Sequence, residues 1–154
     1  MIRLIGYGNP GRGDDGLGPA LAARLMDAPD VQVSSDYQLT VDHALLISAA
    51  DQVIFADAQM RSDAPFDFTV VTASTSHDVT SHSLSPQAVL ALCQTLYGCA
   101  PMAFVLGVTG YEFGEVKEGL SLRAQTNLTL SETFLRDWLA GKDPAPPVGG
   151  LAHA

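Results

Sequence analysis

Two carboxylates stand side by side in a glycine-rich turn, Gly6-Tyr7-Gly8-Asn9-Pro10-Gly11-Arg12-Gly13-Asp14-Asp15-Gly16-Leu17-Gly18. A third, Asp57, closes an otherwise apolar run, QVIFADA. An imidazole, His82, lies in a polar stretch just ahead of Ser85-Pro86. Asp15, Asp57 and His82 come from three connections that a parallel sheet would bring to one edge. Two carboxylates and an imidazole suit a divalent first-row metal with positions left open for other ligands; the set is too sparse for a closed structural zinc site. No serine or cysteine stands in a nucleophile elbow and no HExxH occurs. A hydrolase built on this chain therefore works through a metal or an acid–base carboxylate.

Each of these residues also has a plainer reading. Acids at a helix start bond orphan amides and complement the dipole, an effect of about 1 kcal/mol, and one of Asp14 and Asp15 is enough for that. Asp57 fits a turn as well as a site, and a loop histidine such as His82 is commonly solvated. Of the other histidines, His43 falls in a predicted helix, His77 in a polar loop and His153 in the tail. Gly6-x-Gly8-x-x-Gly11 matches a dinucleotide-binding fingerprint, with Asp36 placed to act as the ribose acid. Against that, Pro10 removes an amide from the turn, and Asp14 and Asp15 put negative charge where a pyrophosphate would sit.

The elements that must position these groups alternate. Ile2 to Ile5 supplies a strand that runs into the glycine turn, where the lack of a Cβ allows a tight, left-handed-tolerant backbone. Leu17, Ala20, Leu21, Arg24 and Leu25 recur at helical spacing up to a stop at Pro29. Val31 to Tyr37 reads as a second strand, followed by a helix from Thr40, as cap, to about Ala50. Gln52 to Ala58 reads as a strand buried on both faces, Gln59 to Pro65 as a loop and Phe66 to Thr72 as a further strand. Ser85 and Pro86 suit an N-cap and first helical position, ahead of Val89, Leu90, Cys93, Leu96 and Tyr97 on one face. Met102 to Val108 is another buried strand. Leu122 to Ala140 is helical, with Phe134, Leu135, Trp138 and Leu139 facing inward.

This order predicts a single-domain, three-layer α/β/α fold over residues 1–142, with a mostly parallel twisted sheet of about five strands. Residues 143–154 form a Pro/Gly-rich flexible tail. Open sheets of this kind place ligands at the carboxyl edge of the strands, where the glycine turn and Asp57 both lie.

Composition narrows the partners. The 154 residues are 47% hydrophobic and 16% charged, which fits one compact domain. Seventeen acidic residues against 8 basic give a net charge of −9, so nucleic acid and anionic membrane are excluded as expected partners. No apolar stretch approaches the roughly 18 residues of a membrane span, and no signal-peptide pattern opens the chain; the expected location is cytoplasmic. Cys93 and Cys99 match no zinc or redox spacing and read as structural thiols.

The turn GYGNPGRGDDGLG, the strand VIFADA, the segment HSLSPQAVLAL and the late segment VLGVTGYEFGEVKEGLS resemble the [NiFe]-hydrogenase maturation endopeptidases, over about residues 2 to 140. The resemblance implies an endopeptidase that cuts the hydrogenase large-subunit precursor near its C-terminus after nickel insertion. Three family residues bind the metal, and by motif they fall on Asp15, Asp57 and His82. It implies no organic cofactor: the nickel arrives with the precursor. Water is then activated by the metal or by a carboxylate base, Asp15 or its neighbour Asp14. Some members carry glutamate where Asp15 stands. DYQLTVDHALLISAADQ lacks the DGGT-type turn of some relatives and looks more like the branch that serves NAD-linked soluble hydrogenases. Three rival readings are a peptidyl-tRNA hydrolase, whose opening GLGNPG turn is similar, a nucleotide-binding module using the glycine turn, and a metal-dependent peptidase of broad specificity.

Overall fold

The computed structural model describes residues 1–60, 62–74, 83–114 and 116–147. Five strands form one sheet: β1 (Ile2–Tyr7), β2 (Val31–Asp36), β3 (Gln52–Met60), β4 (Phe66–Val71) and β5 (Met102–Gly110). Four helices cover it: α1 (Leu17–Arg24), α2 (Asp42–Ser48), α3 (Pro86–Tyr97) and α4 (Leu122–Leu139). The strand order is β2-β1-β3-β5-β4, parallel except for β4, which pairs antiparallel with β5 at one edge. The predicted three-layer, mostly parallel architecture is the observed one.

Alternation along the central strands builds two cores. Leu4, Ile54, Ala56 and Leu106 point to the layer of α1 and α4, where Leu17, Leu21, Leu128 and Leu135 meet them. Ile5, Val53, Phe55 and Ala103 point to the opposite layer, where Ile47, Val89, Leu90 and Cys93 pack. A strand with apolar residues on both faces is what a doubly covered sheet demands. Phe68 stacks on Phe104 at 5.0 Å, and Trp138 meets both rings edge-on, which fastens α4 over β4 and β5.

Several boundaries differ from the sequence expectation. β3 runs on to Met60, because β5 continues beside it through Gly110; the pairing with β1 stops at Ala56. Helix α1 ends at Arg24, before Pro29. Thr40 does not cap α2: its backbone amide donates to His43 Nδ1 at 2.9 Å, and no side chain caps that helix. Ser85 and Pro86 behave as predicted, with the Ser85 hydroxyl accepting from the Ala88 amide. Leu96 and Tyr97 are exposed at the far end of α3 rather than turned inward. Cys93 is buried, and burial pushes its thiol pKa up; Cys99 is exposed, with its Sγ donating to the Ser48 carbonyl. Residues 143–147 carry no helix or strand. No helix among the described residues is long and apolar enough to cross a membrane.

Candidate active site

In the strand order, β1 leads outward to β2 while its other neighbour is β3. The connections therefore part company between β1 and β3, and their carboxyl ends open a crevice there. Gly6 pairs with Ala56, so Tyr7 and the glycine turn on one side face Asp57 on the other. A cleft of about 500 Å³ occupies this point, lined by Tyr7, Gly8, Asp15 and Asp57 along its floor and by Tyr37–Leu39 and Ser83–Pro86 at its sides. The Leu84 amide donates to the Leu39 carbonyl and joins the two sides.

Glycine is required at two positions of this construction. Gly8 sits at φ 143, and a Cβ there would lie 2.0 Å from the Asp15 carbonyl oxygen. Gly18 lets the first turn of α1 rest on the strand ends, since a Cβ would meet the Tyr7 and Ala56 carbonyls at 2.4 Å. The chain thus folds the acidic pair back over the end of β1.

The two adjacent acids then diverge. Asp15 lines the cleft, half-buried, and one carboxylate oxygen accepts from the Asn9 amide at 2.8 Å. Asp14 is 0% exposed and lines no part of the cleft. It accepts from the backbone amides of Tyr111, Glu112 and Ser121 and from the Ser121 hydroxyl, all at 2.7 to 2.9 Å. Burial works to raise its pKa, but these four donors outweigh it and hold the carboxyl below its ordinary range. Asp14, the alternative base, is thus set apart from the cleft, enclosed and held in its ionised form by its four donors, which disfavours its taking a proton. The plain capping role is not met either, because neither the 3₁₀ turn Asp14–Gly16 nor α1 has a side-chain cap. Asp14 instead secures the segment leading into α4, whose N-cap is Ser121.

Asp57 is the perturbed group of the cleft. Burial raises its pKa and the neighbouring Asp15 charge adds to this, partly offset by bonds from the Tyr7 hydroxyl and the Ala58 amide, with a result of about 6. Desolvation by burial, with the Asp57 carboxylate beside it, pushes Tyr7 well above its usual value. No lysine or arginine appears among the described lining residues, so two carboxylates face one another across a concave space without a cation. Two carboxylates so placed have the oxygen donors that could hold a divalent ion.

His82 lies outside the described residues; Ser83, which follows it in the sequence, lines the cleft. Among the described residues no group of three His, Cys, Asp or Glu side chains is placed to hold a metal, and Asp15 and Asp57 make a pair. His43 is buried and lines no part of the cleft, though it sits just behind its Tyr37–Leu39 side: its Nε2 is 3.0 Å from Asp36 and its Nδ1 accepts from the Thr40 amide. Asp36, the ribose acid of a dinucleotide reading, is thereby engaged by a side chain of the fold. Tyr7 is the site residue that sequence reasoning passed over. Its signal was present: it follows the last β1 residue paired with β3, as Asp57 follows the last β3 residue paired with β1.

No protein-family model matches the chain, and no curated protein matches it. Solved structures do. The hydrogenase maturating endopeptidase HybD from Escherichia coli is similar at a TM-score of 0.75 with 17% identity, covering 93% of this chain and 94% of that one. The [NiFe] hydrogenase maturation protease HycI from Thermococcus kodakarensis KOD1 gives a TM-score of 0.70 with 22% identity over 91% and 92%. A hydrogenase 2 maturation peptidase from Thaumarchaeota archaeon SCGC_AB-539-E09 gives 0.68 with 20% identity over 93% and 99%. Over nearly its whole length, the chain has the fold of the hydrogenase maturation proteases.

Proposed function

We propose that this protein is an endopeptidase that removes the C-terminal extension of a nickel-loaded [NiFe]-hydrogenase large-subunit precursor in the cytoplasm. The bound nickel is its recognition anchor, with no organic cofactor and no nucleic-acid or membrane partner. The observation that carries this reading is the meeting of Asp15 and Asp57 in one anionic cleft at the switch point, in a fold shared with proteins named as maturation proteases.

In this reading Asp15, Asp57 and His82 supply ligands to the ion as it arrives with the precursor. Asp57 ligates in its ionised form, so capture weakens as the pH falls below about 6. The Tyr7 hydroxyl, bonded to Asp57, holds that carboxylate in one orientation. Anchoring then sets the scissile bond beside the cleft and gives the rate advantage of a bound geometry. Water is activated by the anchored ion or by Asp15; the enclosed Asp14 takes no part.

The test is incubation with nickel-loaded and nickel-free precursor, followed by a mobility shift on a gel. Cleavage of the loaded form alone is expected. Equal cleavage of both would remove the nickel anchor, and cleavage of neither would overturn the function.

A further inference from the structure

Helix α2 carries apolar side chains on its outward side as well as its inward one. Ala44 and Ile47 are buried in the core shared by the sheet and α3, and His43 is buried beside Asp36. Its outward positions, beginning at the cap residue, are Val41, Asp42, Leu45 and Ala49, all exposed; Val41 and Leu45 are each 60% accessible. A helix at a solvated surface ordinarily carries polar residues on that side; here Asp42 is the charged outward residue, beside the exposed apolar Val41 and Leu45. The stripe begins beside the cleft: Tyr37, 74% exposed, lines the cleft and lies on the loop leading into α2.

Among the described residues, the charges at the cleft end of this stripe are acidic; a cation of the same layer, Arg3, lies toward the opposite end of β1 with its guanidinium donating to Gln32. Between Arg24 and Lys117 the sequence holds a single lysine or arginine, Arg61, so neither α2 nor α3 carries one. Arg24 and Arg136 lie in the opposite layer, engaged with Glu132 and Asp27. Beside the stripe stand the acids Asp42 and Asp36, both exposed, the latter with His43 Nε2 at 3.0 Å. An apolar strip with acids at its cleft-side margin matches a folded protein surface that is apolar at its centre and basic at its edge.

We infer that the outward face of α2, with Val41 and Leu45 at its centre and Asp42 at its margin, docks the folded body of the protein whose metal enters the cleft. This rests on the proposed function and adds a second contact to it, outside the cleft. The partner is a globular precursor with an apolar patch bordered by lysine or arginine. Docking there lowers KM and leaves the bond-breaking step to the cleft.

The experiment measures precursor cleavage kinetics by the wild type, by Val41→Glu/Leu45→Glu and by Asp42→Lys, with thermal melts and sedimentation of each. The expected result is a rise in KM of about tenfold for the double variant with kcat retained, and a smaller rise for Asp42→Lys with a flattened salt dependence. Should the glutamates prevent folding, Val41→Ala/Leu45→Ala gives the same reading at smaller amplitude. Unchanged KM in folded variants overturns the inference while wild-type cleavage upholds the activity. A wild-type dimer that the double variant splits, with KM unchanged, assigns the stripe to a second copy of the chain and also overturns it. Failure of the wild type to cleave the loaded precursor removes the proposed function and this inference with it.

Discussion

Asp14 and Asp15 are neighbours in sequence with opposite surroundings, and the contrast separates architecture from chemistry in this molecule. Asp14 faces the α1–α4 layer. There it gathers four donors from residues 97 to 107 positions later in the chain and closes the 111–121 segment over the glycine turn. Asp15 faces the cleft with one backbone donor and shares that space with Asp57. A carboxylate with all its needs met is a fastener. One left under-bonded beside a second carboxylate is a candidate site, because the uncompensated charge can be relieved by something that binds.

The largest effect expected from breaking this contrast is on folding. Asp14→Ala strands three amides and a hydroxyl in the interior, a loss on the order of 4 kcal/mol, measured by urea denaturation. A variant as stable as the wild type would show that the 111–121 segment holds itself. Because the folded-state pKa of Asp14 lies below its unfolded value, its contribution is present above the ordinary carboxylate range and lost as pH falls through the depressed value.

Next comes the pair in the cleft. Asp15→Ala and Asp57→Ala each reduce precursor cleavage by about a thousandfold, or roughly 4 kcal/mol of transition-state stabilisation, while their melting temperatures stay at or above that of the wild type. Normal processing by either variant would count against the site.

The contrast sharpens on titration. Asp57 has a folded-state pKa of about 6, above its unfolded value. The native state therefore holds the extra proton between about pH 4 and 6, and stability falls as pH rises across that window. In the metal-free protein, Asp57→Asn relieves this cost and is more stable than wild type at pH 7 by about 2–3 kcal/mol. The difference shrinks to nothing near pH 4. Stability curves for the two proteins at both pH values check the sign.

The smallest effect concerns the cleft's wall. Ser85→Ala removes the N-cap of α3, whose hydroxyl accepts from Ala88 at 3.1 Å, and costs about 1 kcal/mol. Hydrogen exchange in the first turn of α3 reads this directly, with faster exchange expected there than at the buried centre of β3.

Much of this molecule was determined by local sequence. The both-sided apolar runs at 53–56 and 103–106, the helical spacing after Gly16 and the Ser85-Pro86 start depend on neighbours a few residues away, so periodicity and capping chemistry expose them. The glycine turn was legible for the same reason: its backbone demands are met by its own residue types. What the tertiary structure alone decided is anything set by distant partners or by the dielectric. The continuation of β3 to Met60 follows from β5 beside it, the reversal of β4 from its place at the edge, and the separation of Asp14 from Asp15 from a segment about a hundred residues downstream. The elevated pKa of Asp57 and its bond from Tyr7 arise only when the ends of two strands meet and partly bury both groups. Charge and hydrogen bonding act through space, and one residue's shift along the chain was enough to turn one carboxylate into a fastener and leave the next open in the cleft.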